Sequence, residues 1–382
     1  MNKSTIQQFL FLLMACLLLP SCQSGRGAAR ISISNPSDRD RTEEVIEIPW
    51  TVLAPKLAEI SKDSLVITNA DGLAVPYQWI SGAEANTPTL LIPVSVQAHK
   101  TVVYNLSSGT PLCFEPKVYG RFVPERKDDF TWENNRVAFR AYGPALEATG
   151  EISNGIDLWV KKTEALVIDK WYAGDLSGTA SYHEDHGEGM DFYKVGRTLG
   201  VGALAPFVKD SLWLGNNYTA YEVLDAGPLR FTVRLSYAPF LVDSQMVTET
   251  RIITLDAGSY LNRITEQFEM EADSMQVAAG IVLRPEAGSA IFHSTFEGYA
   301  AYAEPPVEGK GTLYTAVVSP SAFRETKTQG KHLLSINSYH KGQPYIYYAG
   351  GSWNQSGFAT PDSWCNYVSS FARNLREPFV IK

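Results

Sequence analysis

Clusters of Gly, Pro, Asn, Asp and Ser recur roughly every eight to twelve residues along this chain, and between them lie short runs that alternate or are rich in β-branched and aromatic residues. Arg30–Ser34, Val45–Ile48, Ser64–Ile67, Thr89–Val94, Thr101–Leu106, Arg136–Ala141, Ile156–Val160, Leu229–Tyr237, Thr248–Leu255 and Tyr345–Tyr348 are such runs. Punctuation this dense leaves little room for helices, so the pattern predicts an all-β chain. Outside the N-terminal leader, only Ser363 to Leu375 spaces its apolar residues as an amphipathic helix would. Ser107-Ser108-Gly109-Thr110-Pro111 reads as a linker, separating an N-terminal β subdomain over 30–112 from a main domain over 115–382. The main domain is too long for a simple seven-strand sandwich and lacks the internal repeat of a propeller. A large antiparallel β-sandwich fits it best.

The first residues carry a different signal. Lys3, an apolar run from Phe9 to Leu19 and the sequence Leu19-Pro20-Ser21-Cys22 match a secretory leader, with its positive start, its apolar core of roughly 7–15 residues and its small residue before cleavage. A spanning helix needs about 20 apolar residues, and this run stops at Pro20. The expectation is a signal peptide over 1–22, with Cys22 lipidated as the first mature residue. Gln23-Ser24-Gly25-Arg26-Gly27 holds no acid, which favours the periplasmic face of the outer membrane over export to the surface. Cys113 and Cys365 then remain, either as a disulfide or as two separate small side chains.

A net charge of −8, with 33 basic residues dispersed rather than blocked, argues against a nucleic-acid partner. Eight Trp and 19 Tyr exceed what a minimal core needs and permit stacking on sugar rings. Gly-rich phosphate loops, a Gly-x-Ser-x-Gly elbow and a His-Glu-x-x-His helix are missing from the sequence, so nucleotide-driven chemistry and serine hydrolysis drop from the leading set.

Polar chemistry concentrates in Tyr182-His183-Glu184-Asp185-His186-Gly187-Glu188-Gly189-Met190-Asp191-Phe192-Tyr193, a stretch that its glycines mark as a loop. A solvated tip, a divalent metal on His183, His186 and Glu188, and a histidine general base oriented by a carboxylate are all compatible with it. In Trp132 to Arg140, Arg136 and Arg140 would emerge on one strand face, as a fork for a carboxylate or as partners of nearby surface acids. Asp157 and Trp159 share a strand face ahead of Lys170 and Trp171, and Trp353 follows Gly350-Gly351. An acceptor beside a ring suits a sugar, and core tryptophans give the same pattern.

At these stretches the chain resembles the Bacteroidetes family called domain of unknown function 4861. The likeness rests on Asn35-Pro36 with Arg41, Asp129 to Arg140, Tyr142-Gly143-Pro144-Ala145, Gly155 to Trp159, Tyr182 to Tyr193 and Thr254-Leu255-Asp256-Ala257-Gly258, with Asn135 where an acid is expected. The resemblance implies a galactose-mutarotase-like supersandwich acting in polysaccharide utilisation, on uronate-containing oligosaccharides. Elimination of water (a dehydratase) or of a sugar (a lyase) at a uronic acid would then use His183 or His186 as base and Tyr182, Tyr193 or Glu188 as acid. Arg136, Arg140 or a metal would neutralise the carboxylate, and Asp157, Trp159, Lys170, Trp171, Asp191 and Trp353 would line the substrate site. The alternatives are a glycoside hydrolase using Asp157 and Glu188, a mutarotase or epimerase, and a non-catalytic glycan binder with Trp159, Trp171 and Trp353 as its platform.

Overall fold

The computed structural model describes residues 29–57, 60–81, 87–284 and 286–382. The segment expected to be a signal peptide, with Cys22, lies outside the described residues. Among the described residues no helix is long and apolar enough to cross a membrane.

The molecule is built from antiparallel sheets, and each strand run read from the sequence falls on a strand or within a residue or two of one. Two small sheets face each other at the N-terminal end. In one, Ala29–Ser34 pairs with Thr101–Ser108, which also takes Leu65–Thr68; in the other, Arg41–Pro49 and Gln78–Ser81 flank Pro88–Val96. Alternation turns Ile31, Ile33, Ile48, Leu65, Ile67, Leu90, Ile92 and Leu106 into the gap between them, where they form a separate apolar core. The chain's last strand, Val380–Ile381, returns to the outer edge of Ala29–Ser34 and completes that sheet.

The main body centres on a long sheet that runs from Tyr218–Ala226 through Gln245–Asp256, Leu261–Glu269 and Tyr345–Trp353 to Ala290–Ser294. One face is covered by two five-stranded sheets, through Val201–Val208 and Asp157–Lys161, both of which pack on Tyr345–Trp353. The other face takes the helix Pro361–Arg376, which buries Trp364, Val368 and Ala372, one residue per turn, against Tyr314, Ala316 and Val318. Thr360 caps its first turn by accepting from the Ser363 N–H, and Arg373 and Arg376 sit in its last.

Candidate functional site

The sheet that carries the polar stretches has the order Gly189–Met190, Asp157–Lys161, Val137–Ala141, Asp129–Asn134, Val118–Val123. Cross-strand register places Arg140 directly opposite both Asp157 and Thr131, so one buried guanidinium stands at the centre of the sheet face. Gly189 lets the His183 loop close onto this sheet. Its φ is +119°, and a Cβ there would lie 2.0 Å from the Val160 carbonyl oxygen.

Three carboxylates converge on Arg140. Its Nε and Nη2 donate to Asp157 Oδ2 at 2.9 and 2.5 Å, Nη2 also donates to Asp191 Oδ2 at 3.0 Å, and Asp129 Oδ2 lies 3.6 Å from Nη1. Arg140 Nη1 further donates to the Tyr182 hydroxyl at 3.2 Å, and Arg126 Nε donates to the same oxygen at 2.9 Å. Arg140, Asp129, Asp157, Asp191 and Tyr182 are all buried. Three potential negative charges against Arg140 and Arg126 leave an excess that burial does not tolerate, so protons stay on the cluster. Desolvation lifts the Asp129 carboxyl to about 7, against the pull of Arg140 and Arg126. Desolvation, reinforced by the charge of Asp157, raises Asp191 well above the usual carboxylate range, and its Oδ1 is buried without a partner. Burial likewise raises the phenols of Tyr142 and Tyr172 at the edges of the cluster.

His183 is half-exposed beside this cluster. Its Nδ1 is 3.0 Å from the Asp191 carbonyl oxygen and 3.6 Å from Asp191 Oδ2, and its ring centre is 4.4 Å from that of Tyr182. With the Nδ1 proton donated to the Asp191 carbonyl, Nε2 carries the lone pair, which is the tautomer of a general base. Neighbouring His186 is exposed, and its Nε2 faces the Ser181 carbonyl oxygen at 3.1 Å. Glu188 is engaged elsewhere: Lys170 donates to it at 2.8 Å and Trp171 Nε1 at 3.3 Å, and the Lys170 hydrogen bond holds its carboxyl low. His183, His186 and Glu188 therefore do not share a centre, and among the described residues no three His, Cys, Asp or Glu side chains are grouped to hold a metal.

Of the two readings of this stretch, the arginine fork does not form. Asn134 Oδ1 accepts the N–H groups of Arg136 and Val137, which makes Arg136 part of a turn and starts the strand at Val137. Strand parity does not carry through that turn, and Arg136 pairs with Glu43 at 2.8 Å and Glu164 at 3.0 Å, away from Arg140. The three tryptophans do not form an open platform either. Trp159 is fully buried between Trp171 and Tyr182, with ring centres 5.8 and 4.9 Å away, while Trp353 is fully buried against Phe192 and donates to the Lys310 carbonyl at 2.6 Å. Asp157 and Trp159 do share the Arg140 face, since the guanidinium carbon lies 5.4 Å from the Trp159 ring centre. Lys170 is largely exposed on the helix Ile168–Leu176. Tyr193 is buried under Arg284, 4.9 Å from its ring centre, and belongs to a separate group with Glu304, whose carboxyl burial raises to about 7. Cys113 and Cys365 are free.

Sequence reasoning missed Asp129, Arg126, Tyr142 and Tyr172 as site residues. Asp129 and Tyr142 stand inside the stretches that carried the family resemblance, a signal that was there to be used. Arg126 had none, because only the turn between Val118–Val123 and Asp129–Asn134 folds it back over Tyr182.

Cavities of 470 and 670 Å³ lie elsewhere, between the N-terminal sheets and the main body, the first beside Arg41, Tyr348 and Phe371 and the second beside Asn69, Tyr104 and Lys117. Neither contains a residue of the Arg140 cluster. Chemistry rather than volume distinguishes the cluster, which joins retained protons, an oriented imidazole and paired guanidiniums.

These features define an antiparallel β-sandwich protein with a buried carboxylate–arginine–tyrosine cluster opening at a histidine. The chain belongs to the family Domain of unknown function (DUF4861), whose model matches residues 33–381. Uncharacterized protein P7 of Formosa agariphila is 31% identical over 394 residues, covering 97% of this chain and 98% of that one. Among solved structures, a protein in Glycosyl Hydrolase Family 38 from Enterococcus faecalis is matched with a TM-score of 0.44 at 10% identity, over 94% of this chain and 48% of its own. An alpha-mannosidase from Enterococcus faecalis V583 gives the same TM-score and identity over 93% of this chain and 46% of its own. The chain thus spans about half the length of those two structures.

Proposed function

We propose that this protein is a carbohydrate-active enzyme that eliminates water or a sugar at a uronic acid residue of short oligosaccharides. The observation that carries the reading is the adjacency of His183 to Tyr182, whose hydroxyl oxygen receives N–H groups from both Arg126 and Arg140. His183 Nε2 takes the C5 proton, the C5–H electron pair becomes the C4–C5 double bond, and the C4–O bond breaks. Tyr182 gives its hydroxyl proton to the departing oxygen, and the two guanidiniums stabilise the phenolate left behind. The imidazolium beside it then returns a proton to the phenolate, which closes the cycle. In this reading the leader is removed, Cys22 carries the lipid, and the substrates are imported chains at the periplasmic face of the outer membrane.

Hydrolysis is the second reading, favoured by Asp129, whose carboxyl burial raises to about 7 beside other carboxylates on one arginine. The pair Asp157 and Glu188 supports it less, because each is bound to different partners. Incubation with uronate-terminated oligosaccharides separates the two readings. Elimination gives ultraviolet absorbance from a conjugated double bond, with His183→Ala lowering the rate by about 10²–10⁴-fold and His186→Ala leaving it within a few-fold. Two fragments whose masses sum to that of the substrate plus one water, without new absorbance, would establish hydrolysis instead.

A further inference from the structure

Arg140 and Arg136 are both satisfied by protein carboxylates, so neither has a free edge for a ligand. Arg126 differs. It is half-buried at the rim of the cluster, its only protein hydrogen bond among the described residues is Nε to Tyr182, and no carboxylate there lies within 4.0 Å of it. Its two terminal nitrogens are therefore unpartnered by protein in a partly dehydrated position, and they present an open N–H edge of the kind that grips a planar anion in two places.

The backbone that presents Arg126 is held in place from several sides. Arg126 ends a 3-10 turn and is followed by Lys127 and Asp128, both in the left-handed region at φ 54° and 62°, where side chains other than glycine are strained. Four contacts keep them there. The Tyr218 hydroxyl donates to the Asp128 carbonyl at 2.5 Å, Leu146 N donates to the Lys127 carbonyl at 3.2 Å, and Ala145 N donates to Asp128 Oδ2 at 3.2 Å. Gly143 presses against the same carbonyl so closely that a Cβ would lie 1.8 Å from its oxygen. The next residue is Asp129, so a single turn fixes both the open arginine and the carboxyl that burial raises to about 7.

We infer that Arg126 forms a carboxylate-binding subsite at the rim of the Arg140 cluster, taking the carboxylate of an acidic sugar on its free terminal edge and setting the preference for acidic over neutral sugars. The inference rests on the elimination reading in one respect, that the carboxylate held is the one attached to the carbon losing its proton. Gripping it there withdraws charge from that carbon, next to the Tyr182 hydroxyl that Arg126 already contacts.

The test is calorimetric binding by the full chain of a disaccharide ending in glucuronate, and of the same disaccharide with that carboxyl reduced to the alcohol. Wild type is expected to bind the acidic sugar about tenfold tighter or more, the difference made by hydrogen bonds to a charged group. Arg126→Gln should bring the two affinities within about threefold, and Arg126→Lys should fall between, keeping the charge and losing the fork. Should Arg126→Gln fail to fold, the lysine variant alone decides. Equal affinities in wild type, or an acidic preference that survives both substitutions, overturn the subsite. The elimination reading fails separately, when acidic preference depends on Arg126 and no conjugated product forms.

Discussion

Replacing Asp129 by Asn tests whether the cluster retains protons at neutral pH. Burial holds this carboxyl at about 7 in the folded protein, whereas an unfolded Asp titrates near 3.9. Between those values the native state keeps a proton that the unfolded state has lost, so the group's contribution to stability falls as pH rises through that window. Integrated from pH 5 to pH 8, the difference amounts to about 2.5 kcal/mol at 1.36 kcal/mol per unit. Asp129 is only 3% exposed, so solvent screening removes little of this. Asn mimics the protonated form at every pH and removes the slope. Glu304, at about 7, and Glu266, at about 8, titrate in both proteins and so cancel in the difference between variant and wild type. Urea unfolding at pH 5 and pH 8, followed by tryptophan fluorescence, should show the variant gaining about 2.5 kcal/mol on wild type over that interval. Parallel pH dependence in the two proteins would refute the reasoning, since Asp129 would then be ionised throughout.

Two further substitutions test the framework around the site. Lys161 and Glu133 form a fully buried ion pair at 2.7 Å, and Glu133 Oε1 also accepts the Val167 and Ile168 N–H groups at the start of the helix Ile168–Leu176. Lys161→Met leaves that carboxylate buried without its cation and should cost about 3–5 kcal/mol at pH 8, read by urea unfolding, with part recovered as the pH is lowered, since burial already raises the Glu133 carboxyl and the loss of Lys161 raises it further. Gly143→Ala drives a methyl into the Asp128 carbonyl and should cost about 1–3 kcal/mol, read the same way. Turnover by that variant should fall as well, because the displaced turn carries Arg126 and Asp129.

The sequence by itself determined the kinds of element and much of where the chemistry gathers. Strand alternation and helical spacing are written within a few neighbouring residues, which is why ten of the strands and the helix Pro361–Arg376 could be read directly, whereas the helix Ile168–Leu176, too short and too weakly amphipathic to show a period, was not. Asp157 and Trp159 share a face for the same reason, and the loop from Tyr182 to Tyr193 declared itself by the density of its polar residues. Partner choice was decided by tertiary structure alone. Arg136 and Arg140 sit four residues apart, yet a turn capped by Asn134 sends one to Glu43 and Glu164 and leaves the other among three aspartates. Asp129 and Asp191 meet at Arg140 only through the pairing of separate strands and the closure of a loop over Gly189. Whether a tryptophan faces a sugar or the core also depends on which layer covers it, and Trp159 and Trp353 are covered. The final strand, Val380–Ile381, finds its partner in Ile33–Ser34 at the opposite end of the chain. Local periodicity fixes which way a side chain points; what it meets there is set by register and layer packing between segments distant in sequence.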